Sequence, residues 1–190
     1  VYWDFVELPS QIMENWCYEP EALSMFARHY QSGEVIPTDL VERIRASSNF
    51  LEGMATVRQL SFGMLDMAWH GGNPEDITDV KAREREAFEP TRLFPDHDET
   101  CMSTSFSHIF QGGYSAGYYS YKWAEVLDAD AFAYFKEKGI FNREVAQKFQ
   151  EHILSRGGTE DPMELYVRFR GREPRLEPLL ERAGLLKKSA

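Results

Sequence analysis

The sequence predicts an all-α fold in which strands are at most short and local. Apolar residues recur at three-to-four spacing over most of the chain, and glycine, proline and capping residues fall between those stretches. Period-two alternation is nowhere sustained over five residues. With no internal repeat and no low-complexity segment, the chain reads as one helical domain over residues 1–190.

Ile12, Met13, Trp16 and Cys17 form the first helical stripe, with Pro9 in its opening turn, where a missing N–H costs nothing. Pro20 marks the join to a second stripe of Leu23, Phe26, Ala27 and Tyr30. Gly33 and Pro37 close one element and open another, and Thr38 or Asp39 is placed to cap a helix carrying Leu40, Val41 and Ile44. From Glu52 to His70 the spacing of Met54, Val57, Leu60, Met64, Leu65 and Ala68 predicts a long helix despite Gly53 and Gly63; HGGNPED ends it. Asp76 to Phe88 is a charged, weakly amphipathic helix. The segment EPTRLFPDHDETCMSTSFSHIFQGG has no helical period, and long irregular stretches inside compact domains are more often functional than decorative. After Gly113 the period returns in Tyr118, Tyr121, Trp123, Val126, Leu127 and Phe132, until Gly139 stops it. Asn142 caps a helix with Val145, Phe149, Ile153 and Leu154 on one face. Gly157 and Gly158 interrupt the chain, Thr159 with Asp161 restarts it, and Pro162 sits early in the new helix. A last short helix between Glu173 and Gly184 precedes a basic tail.

With 43% hydrophobic residues in 190, the chain has enough apolar material for one sizeable core, or two small ones packed together, and is not a disordered composition. Its net charge of −10, from 31 acidic against 21 basic side chains, disfavours a nucleic-acid partner, because phosphate binding needs a basic surface. Cys17 and Cys101 stand far apart and in no C-x-x-C arrangement, which argues against a disulfide framework or a cysteine zinc site and suits a reducing, cytoplasmic setting. No apolar run approaches the roughly 20 residues that cross a bilayer, so no membrane partner is expected. The opening VYWDFVELPS has neither a basic leader region nor an initiator methionine and reads as the middle of a longer chain.

Gly113-Tyr114-Ser115-Ala116-Gly117 matches the G-x-S-x-G nucleophile elbow letter for letter. That motif works as a strand-to-helix turn in an α/β frame, and no such frame surrounds it, so Ser115 reads as a small or capping residue where a glycine-rich loop feeds a helix. Tyr114 and Tyr121 are seven residues apart, two helical turns, which puts both hydroxyls on one face if a helix begins near Gly113. His108, on the loop before, is placed to converge on the same space. A phenol and an imidazole aimed at one point are suitable donors to a developing oxyanion; an aromatic-rich helix is more often core, and pattern alone leaves both roles open.

Glu7 is the second anomaly, a carboxylate flanked by Phe5, Val6, Leu8 and Pro9. Glu14 lies two turns further along the same predicted face and Asp4 just before it, so the acids suit a cluster around a metal-bound histidine. Each acid taken alone reads more simply as a helix-start carboxylate near the positive end of the helix dipole. None of the five histidines stands in an H-E-x-x-H or H-x-H arrangement, so the chain carries at most part of a zinc site.

Three long blocks, DFVELPSQIMENW, FSHIFQGGYSAGYYSYKWAEVL and ILSRGGTEDPMELYVRFRGREP, closely resemble in the same order the C-terminal part of the thimet oligopeptidase / oligopeptidase A family of zinc metallopeptidases, its bacterial branch above all. The likeness runs from Val1 to Leu185. It implies the C-terminal helical portion of a catalytic domain with a narrow channel that admits short unfolded peptides, such as cleaved signal peptides. It also implies zinc held by two histidines of an H-E-x-x-H helix and by the glutamate of an F-V-E-x-P-S-Q segment, which here is Glu7. On the helix-face spacing alone, Glu14 is a candidate acid behind that ligand. The middle block implies that His108, Gly112, Gly113, Tyr114 and Tyr121 form the substrate site, with Tyr121 the first choice for oxyanion donor. Tyr114 and His108 then hold the peptide backbone, and the two glycines let the loop move or approach the substrate closely.

One departure stands out. The H-E-x-x-H helix would lie upstream of Val1, so the 190-residue chain is expected to bind zinc weakly and to be inactive without the preceding part of the same protein. Two alternatives differ in kind: a non-catalytic helical interaction module that kept this fold, and the dipeptidyl carboxypeptidase branch of the same family. A serine hydrolase built on Ser115 is a distant third.

Overall fold

The computed structural model describes residues 1–186; the basic tail read from the sequence lies outside the described residues. The helices are α1 (Leu8–Glu14), α2 (Pro20–Phe26), α3 (Thr38–Ser48), α4 (Glu52–His70), α5 (Val80–Phe88), α6 (Ser107–Phe110), α7 (Ser120–Lys138), α8 (Arg143–Phe149), α9 (Pro162–Arg170) and α10 (Glu177–Arg182). Among the described residues the only strand-like pairing is an isolated antiparallel bridge between Arg28 and Val35, so the chain is all-α as its periodicity predicts. No helix of the described residues is long and apolar enough to cross a membrane.

The chain's contacts gather into two compact units, one of residues 1–52 with those from Trp123 onward, the other of Gly53–Lys122. In the first, α7 is the central element. Every residue from Leu127 to Phe132 is buried, so this stretch has no solvent face and works as a core rod. Leu127, Ala131, Phe132 and Phe135 pack with Leu8 and Ile12 of α1, Val145 and Phe149 of α8, and Tyr166 and Phe169 of α9. Trp16 closes the end of this core, its ring edge-on to Phe132 and Phe135 at 4.7 and 5.0 Å, while its indole N–H donates to the carbonyl of Ile140 at 3.0 Å.

Two carboxylates of α7 are buried in the same rod, and each is matched by an arginine. Asp128 takes both guanidinium nitrogens of Arg182 from α10 and the amide of Asn15 from the end of α1 (2.8 Å). Asp130 takes Arg172, just beyond α9, through two bonds of 2.7 and 3.0 Å, and the hydroxyl of Tyr166 at 2.8 Å. Burial and the neighbouring Asp130 carboxylate push the Tyr166 phenol far above its ordinary value, so it stays a donor. The two aspartates therefore fasten three separate segments to one helix.

Several predicted boundaries hold. The Asn142 side chain accepts from the N–H groups of Glu144 and Val145, Asp161 does the same for Met163 and Glu164 with Pro162 behind it, and Gly139 ends α7 with φ +102°. Others shift. Pro37, not Thr38 or Asp39, is the residue before α3, and no side-chain cap bond forms there. The second stripe stops at Phe26 because residues 27–36 turn back on themselves, with His29 N–H on Glu34 and Ile36 N–H on Ala27, which leaves Phe26 and Tyr30 exposed. Asp79 rather than Asp76 opens the charged helix, its carboxylate accepting from Ala82 N–H.

Replacing Arg172 by Met removes the bidentate partner of a fully buried carboxylate, leaving Tyr166 and the longer contact from Arg170 (3.4 Å). Urea denaturation of the variant is expected to show a loss of about 3 kcal/mol.

Candidate active site

The second unit is built on α4, whose Phe62 and Leu65 pack with Phe106 and Ile109 and with Ala87 of α5. The irregular segment predicted before Gly113 is held down by a single acid. Glu84 of α5 accepts from Met102 N–H (2.9 Å), from Ser103 N–H and Oγ (both 2.6 Å) and from the Cys101 thiol (3.6 Å). Trp69 of α4 adds a bond from its indole N–H to Ser103 Oγ at 3.1 Å. Burial pushes the Glu84 carboxyl up, but the hydrogen bonds from Ser103, Met102 and Cys101 together outweigh it and hold the group below its usual range.

This anchoring delivers α6, one short turn carrying His108, and then the glycine turn. A Cβ on Gly112 would lie 3.0 Å from the Cα and the carbonyl oxygen of His108, a contact tight enough that the backbone of α6 would have to give way. Gly113 follows with φ +84°, in the left-handed region, and Tyr114 N–H then donates to the carbonyl of His108 at 3.1 Å. The helix expected from Gly113 does not start there. Residues 114–119 form turns, Ala116 has φ +53°, and α7 begins only at Ser120.

The cause is Asp66 of α4, fully buried, which accepts from the N–H groups of Ala116 (2.9 Å) and Tyr118 (2.8 Å) and pairs with His70 Nδ1 at 2.8 Å. Its carboxylate takes the Tyr118 N–H, which in a helix beginning near Gly113 would have bonded the carbonyl of Tyr114. Sequence reasoning missed Asp66 and His70, since neither belongs to a motif; the one available signal was an acid directly beside the buried Leu65 in an otherwise apolar stripe.

The three side chains read as a group do come together, by a route other than the predicted shared helix face. Tyr114 lies on the turn and Tyr121 on α7, yet their rings stack with centroids 5.0 Å apart and 26° between planes. His108 lies 6.1 Å from the Tyr114 ring and 6.2 Å from that of Tyr121. A fourth ring joins them: Tyr118 sits 5.1 Å from Tyr121 and 5.9 Å from His108, edge-on to Phe106 at 4.9 Å. Burial, with some contribution from the neighbouring Tyr121, raises the Tyr118 phenol above its ordinary value. His108 is exposed and the Tyr114 and Tyr121 side chains are half-buried, the arrangement of an aromatic wall open to solvent on one side. Ser115 has no nucleophile geometry: its hydroxyl donates to the carbonyl of Ile109, with no base beside it.

Glu7 belongs to the other unit. It is half-buried immediately before α1, and Ser10 Oγ donates to its Oε2 at 3.0 Å, which fixes the carboxylate of a group that offers one oxygen ligand. Glu14 is exposed at the last position of the short α1, which gives way to a tighter turn at Asn15. Among the described residues no three His, Cys, Asp or Glu side chains group closely enough to hold a metal ion. The donor set therefore fits one ligand of a zinc site and not a whole one.

A family model described as Peptidase family M3 matches residues 1–185. Oligopeptidase A of Salmonella typhimurium is 48% identical over 186 residues, covering 97% of this chain and 27% of that relative. The organellar oligopeptidase A of Arabidopsis thaliana is 46% identical over 198 residues, covering 100% of this chain and 25% of the relative. A dipeptidyl carboxypeptidase of Escherichia coli is 41% identical over 184 residues, covering 96% and 27%. The chain thus spans about a quarter of the length of the curated relatives it matches.

Because the folded Glu84 carboxyl titrates below its ordinary value of 4.5, its bonds stabilise the fold fully above that value, and the contribution is lost as pH falls through the lowered one. Glu84→Gln is expected to be less stable at neutral pH and to lose less stability between neutral pH and strong acid than the parent, as read by urea midpoints along a pH series.

Proposed function

The chain belongs to peptidase family M3, and from that premise we propose that it is part of a zinc metallopeptidase that hydrolyses short oligopeptides in the cytoplasm. The observation that carries the reading is the convergence of His108, Tyr114 and Tyr121, three polar aromatic side chains within 5.0–6.2 Å of one another by ring centroids, around the turn of Gly112 and Gly113. Short unfolded peptides are the substrates, and the rest of the same protein is the necessary partner.

In this mechanism Glu7 is one oxygen ligand to zinc, and the remaining ligands come from elsewhere in the protein. When bound, zinc supplies Lewis-acid activation of water and of the scissile carbonyl. Tyr121 donates its hydroxyl proton in a hydrogen bond to the oxygen on which negative charge develops, a contact stronger in the transition state than with the planar substrate. Tyr114, stacked on Tyr121, and His108 donate to the peptide backbone and keep the scissile bond in register. Gly112 and Gly113 bring the loop close to the peptide because they carry no Cβ. Glu14, exposed at the end of α1, takes no part in this scheme. The higher identity to the oligopeptidase A relatives, 46–48% against 41% for the dipeptidyl carboxypeptidase, favours cleavage within oligopeptides over release of dipeptides from an end.

In the full-length protein, Tyr121→Phe removes one hydroxyl and little packing. The expected result is a fall in kcat of about 10²-fold with a modest change in KM. Unchanged turnover would return Tyr121 to a packing role. Calorimetric titration of the 190-residue chain alone with zinc is expected to show no submicromolar site, since one fixed carboxylate is too few ligands; tight binding at one zinc per chain would refute the incomplete site.

A further inference from the structure

Resting on the peptidase reading above, we propose that Asp66, braced by His70, is the positioning residue that sets the tyrosine turn for catalysis. A carboxylate at a fully buried place on α4 is a costly choice for packing alone, because an apolar residue of similar volume fills such a place with no charge to desolvate. Its oxygens are instead devoted to the turn. Oδ2 accepts from Tyr118 N–H, and Oδ1 accepts from Ala116 N–H while also meeting His70 Nδ1. Those two amides belong to the stretch that joins Tyr114 to Tyr121, and between them the chain takes a left-handed step at Ala116 that a non-glycine residue does not adopt unaided.

The consequence reaches the wall of rings. With Ala116 and Tyr118 fixed, the Tyr118 ring has one place to go, edge-on to Phe62 and Phe106, and from there it abuts both Tyr121 and His108. Tyr114, at the other end of the turn, meets Tyr121 face to face. The Asp66 oxygens bond backbone amides and His70, so Asp66 is a positioning residue and not a catalytic one. It fixes the backbone that carries these rings, and a shift of about 1 Å in such groups costs on the order of 10²-fold in rate. His70 completes the device: four residues along α4, its Nδ1 meets Asp66 Oδ1 at 2.8 Å and its ring lies against Phe110 at 5.6 Å.

The test is a double-mutant cycle in the full-length peptidase. Asp66→Asn keeps the shape but places an NH2 where a backbone N–H needs an acceptor. Expected is a fall in kcat of about 10-fold or more with a smaller change in KM, and most of that fall is expected to vanish in a Tyr114→Phe/Tyr121→Phe background, because the residue acts through those hydroxyls. An equal fall in both backgrounds, or no fall, overturns the inference while leaving the peptidase reading intact. If the tyrosine variants themselves turn over normally, the oxyanion reading fails first and is recognised separately. Should Asp66→Asn not fold, His70→Leu carries the test: a smaller fall in kcat, restored by His70→Gln, whose amide can donate to Asp66. A fall without that rescue, or none at all, overturns the inference equally.

Discussion

Three aspartates lie where water does not reach, and each has to take its hydrogen bonds from the chain itself. A buried carboxylate without donors would cost several kcal/mol, so its neighbours are not free to be arranged otherwise. Asp128 and Asp130 bring Arg182, Arg172, Asn15 and Tyr166 to α7 and so determine where α10, the segment after α9, and the end of α1 can lie within the first unit. Asp66 does the corresponding work in the second unit, on backbone amides instead of arginines. Apolar packing supplies the driving force in both units, but packing alone is tolerant of small shifts. The carboxylates are not, because donors have to meet them within hydrogen-bond reach and direction.

The helices were legible wherever a local signal existed. Asn142, Asp161 and Gly139 act within one turn of themselves, so the residues that mark those boundaries are also the residues that make them. Thr38 and Asp39 misled because Pro37, with its fixed φ, already supplies the extended residue before α3, leaving both one step too far inside to cap. Membership in the peptidase family was legible from three long blocks, and the family comparison bears it out over residues 1–185.

At the candidate site the sequence was right about which residues meet and wrong about why. The seven-residue interval between Tyr114 and Tyr121 suggests two turns of helix, but the interval is crossed by a non-helical turn and only Tyr121 is helical. What decides this is a contact between residues fifty positions apart, Asp66 and Ala116, and no periodicity within either segment records it. Tyr118 reads in the sequence as one more apolar-face aromatic, although its ring abuts both Tyr121 and His108.

The stack of Tyr114 on Tyr121 also has a kinetic side. Two phenol rings with centroids 5.0 Å apart and nearly parallel planes leave no room for either to swing about its Cα–Cβ bond while the other stays still. Their rotamer changes are therefore correlated, and the pair behaves as one leaf anchored at two points, one on a turn and one on a helix. Any rearrangement of this wall thus has to move two anchors together, the glycine turn that carries Tyr114 and the first turn of α7 that carries Tyr121.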